Sequence, residues 1–156
     1  MSDPRPNWDK WALGLADAIS KRADCTRRRV GAVILNEDNH VVGSGYNGAP
    51  SGSPGCLSAG ACPRGQHFLV LNTTGGSCNC GSSWPCDDYV QPGTSYDTGK
   101  GTCISIHAEA NALLHTTTSV KGCRLYVTDE PCDGCLRLIK GAGILSVLWP
   151  AGRYDF

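Results

Sequence analysis

The sequence predicts an α/β fold in which a mixed sheet of four to five strands lies between layers of helices, a three-layer α/β/α arrangement. Short apolar runs alternate with amphipathic segments in the order α-β-β-α-β-α-β, which is typical of this class. The chain has 156 residues, enough for one buried core, while 20 Gly and 9 Pro indicate long turns and loops. We therefore expect one domain over 1–156 with a Cys-rich insertion at about 51–102.

The first half predicts a helix followed by a hairpin. Asn7 is a suitable helix N-cap, and the strands are expected at 30–35 and 40–46, with a turn at 36–39 between them. His40 lies at this turn and is expected to be solvated. The helix is predicted to pack on the core through Trp8, Trp11, Ala12, Leu15 and Ile19.

The second half predicts two helices, each followed by a strand. The first helix is expected over 104–115 with Ser105 as its N-cap, and its strand over 122–128. The second helix is expected to begin at Pro131, which suits a first helical position, and the last strand to cover 144–149. The buried side of the first helix is predicted to be Ile106, Ala110, Leu113 and Leu114.

Charge and hydropathy argue against a nucleic-acid or membrane partner. Lys and Arg number 14, as do Asp and Glu, so the formal net charge is zero, whereas non-specific nucleic-acid binding needs a basic excess. No apolar run is long enough for a signal peptide or a membrane span. These features favour a cytoplasmic protein with a small-molecule substrate.

The insertion holds most of the cysteines and little regular pattern. About fifty residues without predicted structure are rare in a compact domain unless something pins them. In a reducing compartment, 10 Cys indicate metal ligands or buried thiols in preference to disulfides. We therefore expect bound metal to fold the insertion, with a short strand or apolar plug at 68–71, and Cys123 to be a small core residue.

One His and two Cys stand in a pattern typical of a catalytic zinc site. His107-Ala-Glu109 is followed, after 21 residues, by Pro131-Cys132-Asp-Gly-Cys135. Three protein ligands leave the fourth position of a tetrahedral zinc ion open for water, whereas a structural site closes with a fourth protein ligand. Either half occurs in other kinds of site, but the two together form the signature of zinc-dependent base deaminases.

Glu109 is the predicted proton carrier of this site. It follows His107 by two residues and is not needed as a ligand. Positioned acid–base groups of this kind typically contribute about 10² to 10⁴ in rate. The alternative is a structural zinc knuckle in a binding module without activity, and the glutamate argues against it because a structural zinc needs no proton carrier.

The sequence resembles the deoxycytidylate (dCMP) deaminase family, within the zinc-dependent cytidine deaminase superfamily. The resemblance runs from about Cys25 to Trp149, outside a poorly matching stretch at about 66–97. The Gly-Tyr-Asn-Gly at 45–48, after a Val-Gly-Ala-Val strand, narrows the match to the dCMP branch. The other matching motifs are 107–112 and 125–128, which leads into the Pro-Cys-Asp-Gly-Cys of 131–135. The resemblance implies a cytidine deaminase-like fold with a five-stranded mixed sheet, and conversion of dCMP to dUMP.

The resemblance also implies roles for individual residues and partners. It assigns catalytic zinc to the His and two Cys described above, proton transfer to Glu109, and substrate contacts to Asn47 and the Ala108 backbone. Many members are hexamers activated by dCTP and inhibited by dTTP, so we expect a homo-oligomer with nucleotide effectors. Bacterial members similar to this chain carry a second zinc on Cys at positions resembling Cys25, Cys56, Cys62 and Cys103.

A phosphate clamp and a third metal site are predicted from the residues alone. Arg matches phosphate geometry, and Arg28 is chosen because it precedes the strand whose hairpin partner ends at Asn47. Arg27, Arg29 or loop backbone are the alternatives. Four residues of the insertion can bind metal and have no other assignment, and together they would make a closed zinc site: His67, Cys78, Cys80 and Cys86. The alternative is that the three Cys are free thiols on a mobile loop.

Other functions share parts of this pattern. A deaminase of free cytidine or deoxycytidine, or of a 5-substituted dCMP, uses the same zinc chemistry. A tRNA adenosine deaminase shares the motif but is expected to present a basic surface, for which 22 and 27–29 supply the only Arg cluster. A non-enzymatic, zinc-stapled binding module is the remaining alternative.

Overall fold

The computed structural model describes residues 2–58, 67, 69–87, 89 and 103–156. These residues divide into two compact units. The first unit is drawn from 1–24, 29–48 and 106–156, and the second from 25–28 and 49–105. The elements in chain order are α1 (Trp8–Ser20), β1 (Gly31–Leu35), β2 (Val41–Tyr46), β3 (Leu69–Asn72), β4 (Gly75–Cys78), α2 (Ala108–Leu114), β5 (Arg124–Val127), α3 (Asp133–Gly141), β6 (Ser146–Trp149) and β7 (Gly152–Asp155).

The first unit is built on a five-stranded mixed sheet with the strand order β2-β1-β5-β6-β7. β5 and β6, joined through α3, are parallel, and all other neighbours are antiparallel. The predicted mixed sheet is therefore confirmed. The sequence pattern predicts four of the five strands. It does not predict β7, because this strand is short and mostly exposed; β7 pairs with β6 across a tight turn at 150–151.

Helices cover both faces of this sheet. β1 lies between β2 and β5 and is buried at all five positions. Val33 and Leu35 pack in one core cluster with Ala12 and Ala16 of α1. Their neighbours on β1 point the other way, into a second cluster that contains residues of α2 and α3. This alternation, which follows from the two-residue period of a strand, confirms the predicted three-layer α/β/α arrangement.

The helix α1 begins as predicted but buries a narrower face. The side chain of Asn7 accepts a hydrogen bond from the backbone N–H of Lys10 at 2.8 Å, which confirms the N-cap. Trp8 and Trp11 are exposed and contact each other edge to face, so the prediction that they pack on the core is wrong. Small side chains fill the contact with the sheet, because α1 lies close to β1 at Gly31, where an added Cβ would come within 2.1 Å of the Ala16 carbonyl oxygen.

The predicted strands agree with the structure to within two residues at each end. β1, β2, β5 and β6 fall inside the predicted ranges 30–35, 40–46, 122–128 and 144–149. His40 is exposed, as expected. Cys123, just ahead of β5, is buried in the core cluster shared by α2 and α3, which confirms its prediction as a small core residue.

The second unit contains an antiparallel hairpin of β3 and β4. The sequence predicts little regular structure in this segment, so the hairpin corrects that prediction. The short strand predicted at 68–71 is confirmed for residues 69–71, and Phe68 lies outside the described residues. β4 escapes prediction because Gly75-Gly-Ser-Cys78 has no apolar pattern. Within the described ranges, no helix has the length and apolar content that a membrane crossing requires.

Candidate active site

The first half of the site is the start of α2. His107 is the N-cap, with extended backbone (φ −66°, ψ 152°), and the helix begins at Ala108. The predicted start at 104 with Ser105 as cap is wrong. Ile106 instead exchanges two backbone hydrogen bonds with Gly48, at 2.8 and 3.2 Å, which holds the chain extended up to His107. The ligand residue is thus fixed between a β-bridge and a helix.

The buried side of α2 differs in part from the prediction. Leu113 packs against the core as predicted, but the fully buried residues are Ala108, Glu109 and Ala112, and Leu114 is 66% exposed. Close approach of α2 to β2 explains the small residues, since a Cβ at Gly45 would lie 2.4 Å from the Ala112 nitrogen and 2.5 Å from the Ala108 carbonyl oxygen. Because the helix turns this side toward the sheet, Glu109 lies in the interior.

The second half of the site is the start of α3. Cys132 is the N-cap, and its Sγ accepts a hydrogen bond from the backbone N–H of Cys135 at 3.4 Å. The helix therefore begins at Asp133, two residues beyond the predicted start at Pro131. Helix N-termini favour anionic groups, so this position suits a thiolate.

The structure brings the three predicted zinc ligands together. The Nδ1 atom of His107 lies 3.5 Å from the Sγ of Cys132 and 3.3 Å from the Sγ of Cys135. All three ligand atoms lie within 4.8 Å of one another. Residues separated by more than twenty positions in sequence meet here because α2 and α3 pack on the same face of the sheet.

The geometry of this set fits a zinc ion. Zinc bonds of about 2.3 Å to sulfur and about 2.1 Å to nitrogen place the two ligand atoms about 3.6 Å apart on the edge of a tetrahedron. The two nitrogen–sulfur distances are close to that edge. Burial raises the pKa of the Cys135 thiol, with further contributions from Glu109 and Cys132, so a cation is needed to hold this sulfur as a thiolate at neutral pH.

Glu109 lies beside these ligands and is only 5% exposed. Burial raises the pKa of its carboxyl group, and the nearby charge of Asp129 raises it further, while its own backbone N–H, His107 and Cys135 act in the opposite direction. A carboxyl group with a raised pKa is suited to both accepting and donating a proton near neutrality. Sequence reasoning misses Asp129, since no spacing relates it to Glu109.

Asn47 is completely buried, and its side chain has a structural partner. Its Oδ1 accepts a hydrogen bond from the backbone N–H of Val30 at 2.7 Å, and its backbone bonds to Val30 and Asp24. These bonds fix the start of β1 and the residue before Gly48, which in turn pairs with Ile106. Asn47 therefore positions His107 through the backbone, and its contact with substrate remains a prediction.

Asn111 is a further positioning residue that sequence reasoning misses. Its side-chain nitrogen donates to the carbonyl oxygen of Tyr46 at 2.8 Å, across 65 positions of sequence. The bond links α2 to the end of β2. Asn111 falls within the matching motif at 107–112, which is the only signal that marks it.

The three consecutive Arg residues have different surroundings. Arg29 donates to the carbonyl oxygens of Lys21 and Ala23, which follow α1, so it satisfies groups left unpaired after that helix. Arg28 belongs to the second unit, where its backbone N–H contacts the Sγ of Cys25. The predicted contact of Arg28 with phosphate and that of the Ala108 backbone with the base remain predictions.

The predicted second zinc site is described only in part. The Sγ of Cys25 accepts hydrogen bonds from the backbone N–H groups of Arg27 and Arg28 at 3.4 and 3.5 Å. Cys56 is buried and Cys103 half-buried. Cys62 lies outside the described residues, so this four-cysteine site remains a prediction.

Comparison with known proteins identifies similar chains. Residues 6–150 match the family model described as the cytidine and deoxycytidylate deaminase zinc-binding region. The deoxycytidylate deaminase of Mycobacterium phage D29 is 41% identical over 148 residues, which cover 94% of this chain and 96% of that protein. The deoxycytidylate deaminase of Schizosaccharomyces pombe is 35% identical over 147 residues, which cover 93% of this chain but 37% of that longer protein.

A solved structure shares the fold. The dCMP deaminase from the cyanophage S-TIM5, determined in complex with dCMP and dUMP, superposes with a TM-score of 0.59 at 23% identity, covering 94% of this chain and 83% of that chain. This likeness confirms the cytidine deaminase-like fold expected from the sequence.

Proposed function

This chain belongs to the cytidine and deoxycytidylate deaminase family, and we propose that it hydrolyses dCMP to dUMP at a zinc site formed by His107, Cys132 and Cys135. The observation that carries the proposal is the convergence of one imidazole and two thiols beside a buried carboxyl group. That constellation lies in a chain that matches a deoxycytidylate deaminase over nearly the whole length of both proteins.

The three ligands are proposed to hold zinc with one position open. When bound in such a site, zinc lowers the pKa of a water molecule from about 15.7 to about 7 and so supplies a nucleophile at neutral pH. The chain's own contribution is to fix the ligand atoms, because His107 and Cys132 are the N-caps of α2 and α3 and Cys135 lies in the first turn of α3. His107 offers Nδ1, which leaves the proton of its ring on Nε2.

Glu109 is proposed to carry the protons. Hydrolytic deamination adds the oxygen of water at C4 of the cytosine ring and releases ammonia, so one proton must pass from the water to the ring nitrogen N3, and a second must pass from the new C4 hydroxyl group to the departing amino group. A single carboxyl group with a raised pKa performs these transfers in turn. Its burial keeps bulk water away from the transferred protons.

Substrate selection is proposed to involve groups outside the zinc site. The zinc site recognises only the reacting ring, so the sugar and phosphate need other partners: Asn47 for the sugar, the Ala108 backbone for the base and Arg28 for the phosphate. A dianionic phosphate favours a charge-assisted partner, and Arg supplies one with matching geometry. The 41% sequence identity with the phage deoxycytidylate deaminase supports a nucleoside monophosphate as the substrate in preference to a free nucleoside.

The assembly and its regulation are also proposals. A homo-oligomer activated by dCTP and inhibited by dTTP is what membership of this family leads us to expect. Sizing the purified protein by light scattering, with and without each nucleotide, together with the rate of dCMP turnover, tests both points. A monomer whose rate is unchanged by either nucleotide would contradict them.

The substrate class is tested by measuring ammonia release from dCMP, cytidine, adenosine and tRNA with the purified holoenzyme. We expect release from dCMP above all others. Release from cytidine alone would indicate a nucleoside deaminase, release from adenosine or tRNA would indicate a different branch of the superfamily, and release from none would favour a binding module.

A further inference from the structure

We propose that the insertion forms a separate structural zinc site from His67, Cys78, Cys80 and Cys86. The potential ligand atoms of these residues, one per side chain, all lie within 4.8 Å of one another. All four belong to the second unit, whereas the catalytic ligands belong to the first. The proposal therefore concerns a different ion from the catalytic one.

The distances in this cluster repeat those of the catalytic set. The Nδ1 of His67 lies 3.5 Å from the Sγ of Cys78 and 3.3 Å from the Sγ of Cys86. These values are close to the nitrogen–sulfur edge of about 3.6 Å expected when both atoms bind one tetrahedral zinc ion. Ordinary packing of a histidine against cysteines does not require two sulfur atoms at this separation from the same ring nitrogen.

The hairpin of β3 and β4 explains how the four residues meet. Leu69 pairs with Cys78, so His67, two residues earlier, and Cys80, two residues later, extend from the same end of the hairpin. A tight turn then returns the chain, with the N–H of Cys78 bonded to the carbonyl oxygen of Ser82 at 2.8 Å. Gly81, with φ +92°, occupies a position of this turn that L side chains rarely adopt.

The hairpin has little apolar surface of its own to bury. The four residues of β3 are exposed, and Leu71 is 79% exposed. An isolated two-stranded hairpin is marginally stable in water at best. Cys78, in contrast, is only 2% exposed, whereas His67 and Cys86 are half-buried and Cys80 is exposed, so the one buried side chain of the hairpin is a proposed ligand. Metal binding supplies the folding free energy that apolar burial does not.

The ligand chemistry selects the metal and the role. Three thiolates and one imidazole favour zinc over magnesium or calcium, which prefer oxygen ligands. Four protein ligands close the tetrahedron and leave no position for water or substrate. The site is therefore structural, and it holds the strands of the insertion together.

The test compares zinc content in full-length proteins purified under reducing conditions. The variant is the double substitution Cys80→Ser with Cys86→Ser, which leaves two ligands, too few to retain the ion. We expect it to contain one zinc per chain fewer than the wild type, measured by mass spectrometry of the metal. The matched control is Cys123→Ala, which removes a thiol that belongs to no proposed site and should leave the zinc content unchanged.

A second measurement keeps the proposal testable if the double variant folds poorly. In the wild-type protein, hydrogen exchange at the amides of β3 and β4 should be slow with metal bound and fast after chelation. Equal zinc content in the variant and the wild type would overturn the proposal. So would exchange at β3 and β4 that chelation does not change, or a disulfide between Cys78 and Cys86 in the reduced preparation.

Discussion

Glu109 combines burial, proximity to the zinc ligands and a raised pKa, which makes it the residue on which turnover depends most. Glu109→Gln keeps the shape of the side chain and removes its ability to carry protons. We expect kcat for dCMP to fall by about 10² to 10⁴ while zinc content stays the same. The exposed Glu37→Gln is the control and should leave both quantities unchanged. Substantial turnover by the Glu109 variant would remove this residue from its proposed role.

Arg28 is the residue proposed to contact the phosphate. A charge-assisted contact is worth roughly 1.5 to 3 kcal/mol, so Arg28→Ala should lower kcat/KM for dCMP roughly ten- to a hundredfold. The same variant should leave kcat/KM for deoxycytidine unchanged, because that substrate has no phosphate. Arg22→Ala, at an exposed position, is the matched control. An unaffected Arg28 variant would transfer the role to Arg27, Arg29 or loop backbone.

The chemistry-bearing residues are the part of the site that sequence analysis predicts best. His107, Cys132 and Cys135 carry a spacing that depends on ligand chemistry, and the structure brings their ligand atoms together. The charge effect of Asp129 on Glu109 and the hydrogen bond of Asn111 to Tyr46 could not be predicted, since both arise only when separate parts of the chain pack together.

At the scale of the element, Gly45 sets the distance between β2 and α2. A Cβ at this position would meet backbone atoms of Ala108 and Ala112, so Gly45→Ala must displace the helix that carries Glu109. We expect the free energy of unfolding to fall by about 1 to 3 kcal/mol, the usual cost of overpacking, and kcat to fall with it.

The control for Gly45→Ala is Gly14→Ala, within the exposed side of α1, where an added Cβ meets nothing within 4 Å. This substitution should leave activity unchanged and stabilise the protein by up to about 1 kcal/mol, because Ala favours helix over Gly. Denaturant unfolding of the two variants gives the comparison. Equal stability for both would show that close packing at Gly45 is unimportant.

Element boundaries are less predictable than element types. The apolar pattern gives α2 correctly as a helix, but its start depends on the bridge between Ile106 and Gly48, which joins distant parts of the chain. The helical periodicity of apolar residues also predicts Trp8 and Trp11 on the core face of α1. Both are exposed, because Ala12 and Ala16 make the close contact with β1. Residue volume, which periodicity ignores, decides which part of an apolar face is buried.

At the scale of the whole molecule, the sheet is predictable and the insertion is not. The strands 31–35, 124–127 and 146–149 are predictable because each is a short apolar run in the sequence, and all three are largely buried in the structure. β4 and β7 have no such pattern, since most of their residues are exposed and pairing with a neighbouring strand holds them in place. Cysteine content predicts that something pins the insertion and groups His67, Cys78, Cys80 and Cys86 as candidate ligands; the structure adds that their potential ligand atoms lie within 4.8 Å of one another.

Activity of the whole molecule should depend on bound zinc. Incubation with a zinc chelator should abolish turnover of dCMP, and added zinc should restore it, whereas added magnesium should not because the ligand atoms are nitrogen and sulfur. The rate before and after each addition is the measurement. Full activity in protein shown to contain no metal would contradict the zinc mechanism.

The central claim, that this chain is a deaminase of deoxycytidine monophosphate, is tested most directly by comparing kcat/KM for dCMP and for deoxycytidine with the purified zinc-loaded enzyme. The two substrates share the reacting ring and the sugar and differ only in the phosphate. If at least one charge-assisted contact recognises that phosphate, dCMP should be used at least about tenfold more efficiently. Equal efficiency for the two substrates would contradict the account.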